Sequence, residues 1–162
     1  MRELESVSLF ERILVPLDHS DHSQRALDVA IQIAKKFGSK ITLVHVYSIV
    51  VTPVIIHEAS SVTSGIPIVY PEYASKLSDS AREAAKRVLE KGERRAKAEN
   101  VEVNSLLKEG HTVQEIVRAS KEDNFGLIVM GARGVSHIRE MLLGSVTDGV
   151  MHHTNCPVLV IR

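Results

Sequence analysis

Cysteine is almost missing from this chain: Cys156 stands alone among 162 residues. A single thiol closes no internal disulfide and builds no cysteine-rich zinc site. Such usage suits a reducing compartment, and a cytoplasmic protein is the expectation. An excess of one charge is missing too. Lys plus Arg number 20 and Asp plus Glu number 20, which speaks against the broad basic face that grips nucleic acid. No apolar run approaches the length that spans a bilayer. The opening MRELESVSLF lacks the charged-then-apolar pattern of a signal peptide. Neither a membrane nor a nucleic-acid partner is expected. Two phosphate motifs are also absent. Without Gly-Lys-Ser/Thr there is no Walker loop, and without Gly-x-Gly-x-x-Gly the dinucleotide reading fails.

What is present is an ordinary folding composition, 44% hydrophobic and 25% charged, which excludes a disordered chain. The length favours one domain over residues 1–162. Short apolar runs at residues 13–17 (ILVPL), 41–46 (ITLVHV), 127–130 (LIVM) and 158–161 (VLVI) read as strands buried on both faces. Residues 101–107 (VEVNSLL) alternate polar with apolar, which suits an edge strand. Between them lie helical spacings. Ala26, Leu27, Ala30, Ile33, Ala34 and Phe37 recur on one face, with Gly38 as a stop. Leu77, Ala81, Ala84, Ala85, Val88, Leu89 and Ala96 mark a charged helix ending near Asn100. Thr112 to Glu115 reads as a capping box, and residues 145–153 as a last helix before Pro157.

Strict β-α alternation predicts an open five-stranded parallel sheet with helices on both faces. The strand order 3-2-1-4-5 places the alternating strand at one edge and the fifth at the other. Ligands of such sheets bind beyond the carboxyl ends of the strands where the winding reverses, here between strands one and four. Residues 48–73 are long for a connection and carry Pro53, Pro67 and Pro71. They are expected to pack as a lid or interface element.

Strand one delivers Pro16 and Asp18 to that switch point, and strand four delivers Met130 and Gly131. The stretch GARGVSHIREMLLGSVT follows, with Gly131, Gly134 and Gly144. Glycines accept positive φ and allow close backbone approach. Ser145 is read as a helix cap. The N–H groups of Ser145, Val146 and Thr147 at that helix start form a natural phosphate site. Asp18 suits a ribose hydroxyl or a phosphate-bound Mg²⁺. Plainer readings stand beside these: Gly131 as a βα turn, and Ser145 and Asp18 as caps of their own helices. Arg133 could reach a phosphate or be a solvated loop residue. His45 reads as a core or strand-end residue and Cys156 as a packing residue. The histidines lack the Glu or Cys that would complete a metal set, and no Ser-His-Asp set stands out.

The spacing Gly131, two residues, Gly134, nine residues, Gly144, Ser145 resembles the signature of the universal stress proteins of the ATP-binding kind. The segments ILVPLDHSDHSQRAL and NCPVLVIR are similar to that family's start and end. The resemblance implies a Rossmann-like, adenine nucleotide alpha hydrolase-like fold that binds ATP or another adenine nucleotide, with Mg²⁺. It puts Pro16 and Asp18 beside the nucleoside, with Asp18 on the ribose, and the Val46 backbone on the adenine. Gly131, Ala132, Arg133 and Gly134, then Gly144, Ser145 and Val146, wrap ribose and phosphates; Met130 and Thr147 beside them complete the candidate nucleotide-binding set. It also implies a homodimer through strand 158–161, whose apolar edge lacks protective charges. Regulation by nucleotide occupancy is the expected role. A slow ATPase and a nucleotide-free interaction module are the alternatives, because no general base accompanies the motif.

Overall fold

Each apolar run becomes a strand and each 3.6-periodic stretch a helix in the computed structural model, which describes residues 10–49, 71–135 and 143–162, with side chains from Ser75 onward in the middle stretch. The order is β1 (Arg12–Pro16), α1 (Asp21–Phe37), β2 (Lys40–Tyr47), α2 (Pro71–Ala98), β3 (Val103–Glu109), α3 (Thr112–Glu122), β4 (Leu127–Gly131), α4 (Ser145–His153) and β5 (Val158–Ile161). The sheet is parallel in the order β3-β2-β1-β4-β5, as the alternation predicts. Most of the 48–73 segment lies outside the described residues, as does 136–142 within the glycine motif.

Period-two alternation sends successive strand residues to opposite faces. Ile13, Val15 and Leu43 pack with Leu27, Ala30, Val88 and Leu89 of α1 and α2. Leu14, Val44, Ile128 and Met130 pack with Ile116, Ala119 and Val150 of α3 and α4. Full burial of such side chains is worth about 1.5–3 kcal/mol each, so these two layers fix the central strands. Among the described residues, no helix is long and apolar enough to cross a membrane.

Three local readings shift. β3 starts at Val103, two residues later than the alternation indicates. Val101 instead closes α2, donating to the Ala96 carbonyl at 3.1 Å while Asn100, at φ 57°, donates to Lys97 at 3.0 Å. This is a Schellman ending, with Val101 buried as its hydrophobic contact. The capping box at Thr112 is not formed: His111 occupies the cap position of α3 without a side-chain bond, and Thr112 is already helical. Phe37 leaves the buried stripe of α1; it is 54% exposed and stacks on Phe10 with ring centroids 4.6 Å apart. Ile31 belongs to the buried stripe, which the spacing does not include.

Candidate functional site

β1 and β4 lie side by side only at Ile13–Leu127 and Leu14–Ile128. Beyond these pairs the strands part, β1 running on beside β2 to Pro16 and β4 beside β5 to Gly131, and their connections run to helices on opposite faces. The crevice that opens there has a volume of about 370 Å³. It is lined by every residue the sequence reading placed in the site except Ala132. Pro16 and Asp18 come from the end of β1, Val46 from β2, and Met130, Gly131, Arg133 and Gly134 from β4 and its exit. Gly144, Ser145, Val146 and Thr147 come from the start of α4.

Ala132 is 1% exposed and turned inward. Its N–H donates to the Ile161 carbonyl at 2.6 Å, and its own carbonyl accepts from Gly144 N–H at 2.8 Å. It therefore pins both ends of the glycine motif to β5. At positions 131 and 134 the reason for glycine is space. None of Gly131, Gly134 and Gly144 has positive φ; among the described glycines only Gly38 and Gly110 do. A Cβ on Gly131 would lie 2.7 Å from the backbone carbon of His22 and 2.9 Å from Ser23 N. That glycine lets the first turn of α1 sit against the end of β4. A Cβ on Gly134 would lie 2.8 Å from Asp18 Oδ2, so this glycine keeps the carboxylate clear.

Ser145 does not cap α4. Gly144 takes the cap position with no side-chain bond, and Ser145 is the first helical residue. The first backbone bond of the helix runs from Asp148 N–H to the Gly144 carbonyl at 3.0 Å, which leaves the N–H groups of Ser145, Val146 and Thr147 outside the ladder. The Thr147 hydroxyl donates to the Gly131 carbonyl at 2.8 Å and ties α4 to β4. Its buried side chain faces protein, so only its backbone can serve a ligand.

Asp18 does not cap α1 either; Ser20 does, accepting from Ser23 N–H at 3.2 Å. Asp18 Oδ1 accepts from Ser20 N–H at 2.8 Å and from the Ser20 hydroxyl at 2.5 Å. One carboxylate oxygen is thus held by the loop, and the other faces Gly134. On β2 the bonding directions alternate. Lys40 N–H reaches the Glu11 carbonyl and Leu17 N–H reaches the Val44 carbonyl, so even-numbered residues face β1. Val46 shares that direction, and β1 has ended beside it. Its backbone donor and acceptor point into the crevice.

Residues that sequence reasoning missed complete the lining: Leu17, His19, Ser23, Val44, His45, Thr112, Ile116 and Val135. Val44 was within reach, since it shares a face with Val46. Thr112 and Ile116 depend on how α3 docks, which no local pattern reveals. His19 and His45 meet edge-on with centroids 6.4 Å apart. Among the described residues no group of three or more His, Cys, Asp or Glu gathers as for a metal. Cys156 lies away from the crevice, its thiol donating to the Phe125 carbonyl at 3.2 Å. Burial pushes the pKa of that thiol up, as suits a packing residue.

An open, doubly wound parallel sheet with a glycine-bordered crevice at its switch point defines a Rossmann-like α/β protein. The family model of the universal stress protein family matches residues 9–162. The chain is 34% identical over 155 residues to universal stress protein YxiE of Bacillus subtilis, covering 95% of this chain and 100% of that one. It belongs to the universal stress protein family. The solved universal stress protein UspA of Lactobacillus plantarum superposes with a TM-score of 0.75 at 25% identity, covering 94% of this chain and 98% of the other. A universal stress protein solved in complex with cAMP superposes with a TM-score of 0.63 at 25% identity, covering 94% and 97%.

Proposed function

We propose that this chain binds an adenine nucleotide, ATP foremost, in the switch-point crevice and acts as a regulatory protein whose state follows occupancy. The observation that carries the reading is the convergence of three complementary groups on one crevice. Val46 offers a backbone N–H and C=O, which match the N1 acceptor and N6 donor of adenine. Guanine presents the opposite pattern at both positions. Asp18 offers an unshared carboxylate oxygen to ribose hydroxyls. The free N–H groups at the start of α4 offer a phosphate seat, strengthened by the helix dipole. The relative in complex with cAMP, which joins an adenosine to a phosphate, supports the same ligand class.

Mg²⁺ would arrive with the phosphates. No acidic cluster waits for it among the described residues, and Mg²⁺ commonly keeps several waters while bound through one carboxylate and a substrate's phosphates. Asp18 is the carboxylate that lines the crevice among the described residues. Hydrolysis by this chain is expected to be slow, because among the described residues the crevice is lined by one carboxylate, Asp18, at the β1 end, and Asp148 in the first turn of α4 is not part of that lining.

The same reading includes a homodimer through β5 in the cytoplasm. Pro157 and Ile161 use their carbonyls toward β4, so by alternation Val158 and Val160 turn their N–H groups to the open edge. Val160→Pro then removes an outward donor and spares the bonds to β4. Sedimentation should show a dimer at micromolar concentration and a folded monomer for V160P. A parent protein that runs as a monomer refutes this part. The ligand itself is tested by mass spectrometry of what the purified protein releases on denaturation, with calorimetric titration of ATP into the emptied protein. Absence of ATP binding in that titration refutes the nucleotide reading.

A further inference from the structure

His45 lines the crevice, yet neither the ribose, the phosphate nor the base reading assigns it a task. Its surroundings do. In a parallel ladder, a residue that donates to one carbonyl accepts from the N–H two residues further along the partner strand. Leu17 N–H donates to the Val44 carbonyl at 2.8 Å, so the Leu17 carbonyl should next accept from Val46 N–H. Among the described backbone pairs that bond is not made. His45 Nδ1 lies 2.6 Å from the Leu17 oxygen instead. A carbonyl only accepts, so Nδ1 carries the hydrogen and donates it.

The backbone of His45 faces β3, as the flanking odd-numbered bonds show: Ile41 N–H to Glu102 and Gly110 N–H to Tyr47, each at 3.0 Å. Its side chain is therefore free to leave the sheet plane and take the carbonyl from the α1–α2 face. The last backbone pairing between β1 and β2 is replaced by a side-chain bond, one residue short of where the ladder could have run.

We propose that His45 is a positioning residue: by holding the Leu17 carbonyl in place of the Val46 amide, it keeps the Val46 N–H available to the nucleobase. The claim rests on the adenine reading above for what the amide meets, but the pairing itself is a property of the ligand-free chain. The same bond fixes the residue before Asp18, so one imidazole sets the edge that reads the base and the exit that presents the carboxylate. Replacing it with an apolar side chain leaves the Leu17 carbonyl without that donor. The nearest donor on β2 is the Val46 amide, and β1 then zips by one more bond across the base seat.

The test is amide hydrogen exchange followed by NMR, with His45→Leu and His45→Gln, the latter retaining a donor. In the ligand-free parent, Val46 should exchange as an unpaired amide and become protected on adding ATP. In ligand-free H45L it should already be protected, and H45Q should return it toward the parent. ATP should bind the parent about tenfold tighter than 1-deaza-ATP, which lacks the N1 acceptor, and H45L should lose that preference, since one hydrogen bond of this kind is worth roughly a factor of ten. A protected Val46 amide in the ligand-free parent overturns the proposal whatever the variants do. So does unchanged Val46 exchange in a folded H45L. Failure of the parent to bind ATP at all would refute the nucleotide reading, while the ligand-free exchange still decides the role of His45.

Discussion

The two walls of the crevice are built on different principles. The β4–α4 wall works by absence of side chain: Gly131 admits α1, Gly134 clears Asp18, and Gly144 starts a helix with bare N–H groups. The β1–β2 wall works by side chains that hold backbone: Ser20 fixes Asp18, and His45 fixes Leu17. A wall of absences announces itself in sequence, since glycine spacing is visible in one line of text. A wall of hydrogen bonds does not, because each bond joins residue types that are common anywhere.

The largest expected effect divides the glycines among themselves. Gly131→Val places a Cβ against the backbone of α1, which cannot yield as a flexible side chain would. It should destabilise the fold by about 3 kcal/mol, the upper part of the usual overpacking range. Gly134→Val meets only a carboxylate oxygen at an exposed position. It should leave the melting temperature nearly unchanged and remove ATP binding. Thermal denaturation beside titration separates the two, and equal melting temperatures for both variants would show that the first glycine is not a packing residue.

Next comes the other wall. Asp18→Ala should weaken ATP and adenosine by about 1–3 kcal/mol, the cost of leaving buried hydrogen-bonding groups unpaired. Inorganic triphosphate should be far less affected. Equal losses for adenosine and triphosphate would assign Asp18 to a metal or to the fold. The smallest effect is expected at Ser145→Ala. Its side chain does not cap α4, and alanine retains the amide, so ATP affinity should stay within about 0.5 kcal/mol of the parent. A loss of tenfold or more would mean that the hydroxyl itself meets the ligand, and the contrast between the walls would soften.

Sheet order and crevice position were legible because alternation and strand hydrophobicity admit few topologies. The glycine motif was legible as a pattern, but its reason was not. Positive φ and close packing both call for glycine, and only the position of His22 tells them apart. Ala132 shows the same limit, since the residue between two site positions points into the protein because β5 holds it. At helix ends the sequence erred by a residue or two. Thr112 and Ser145 are good cap types, yet His111 and Gly144 occupy the caps, and the Asn100–Val101 ending takes two residues from β3. The role of His45 depends on a carbonyl 28 residues away.

The bond from Ala132 N–H to the Ile161 carbonyl makes β5 a shared part. Its inner edge holds the glycine motif in shape, and its outer edge carries the N–H groups of Val158 and Val160. If the proposed nucleotide binds at Gly131–Gly134 and the proposed partner strand lies along the outer edge, the two events meet in β5, and any effect of one on the other runs both ways. Such linkage is reciprocal by thermodynamic necessity. A measured shift in nucleotide affinity with protein concentration would therefore read out the assembly constant, and the strand of four residues would be the wire between them.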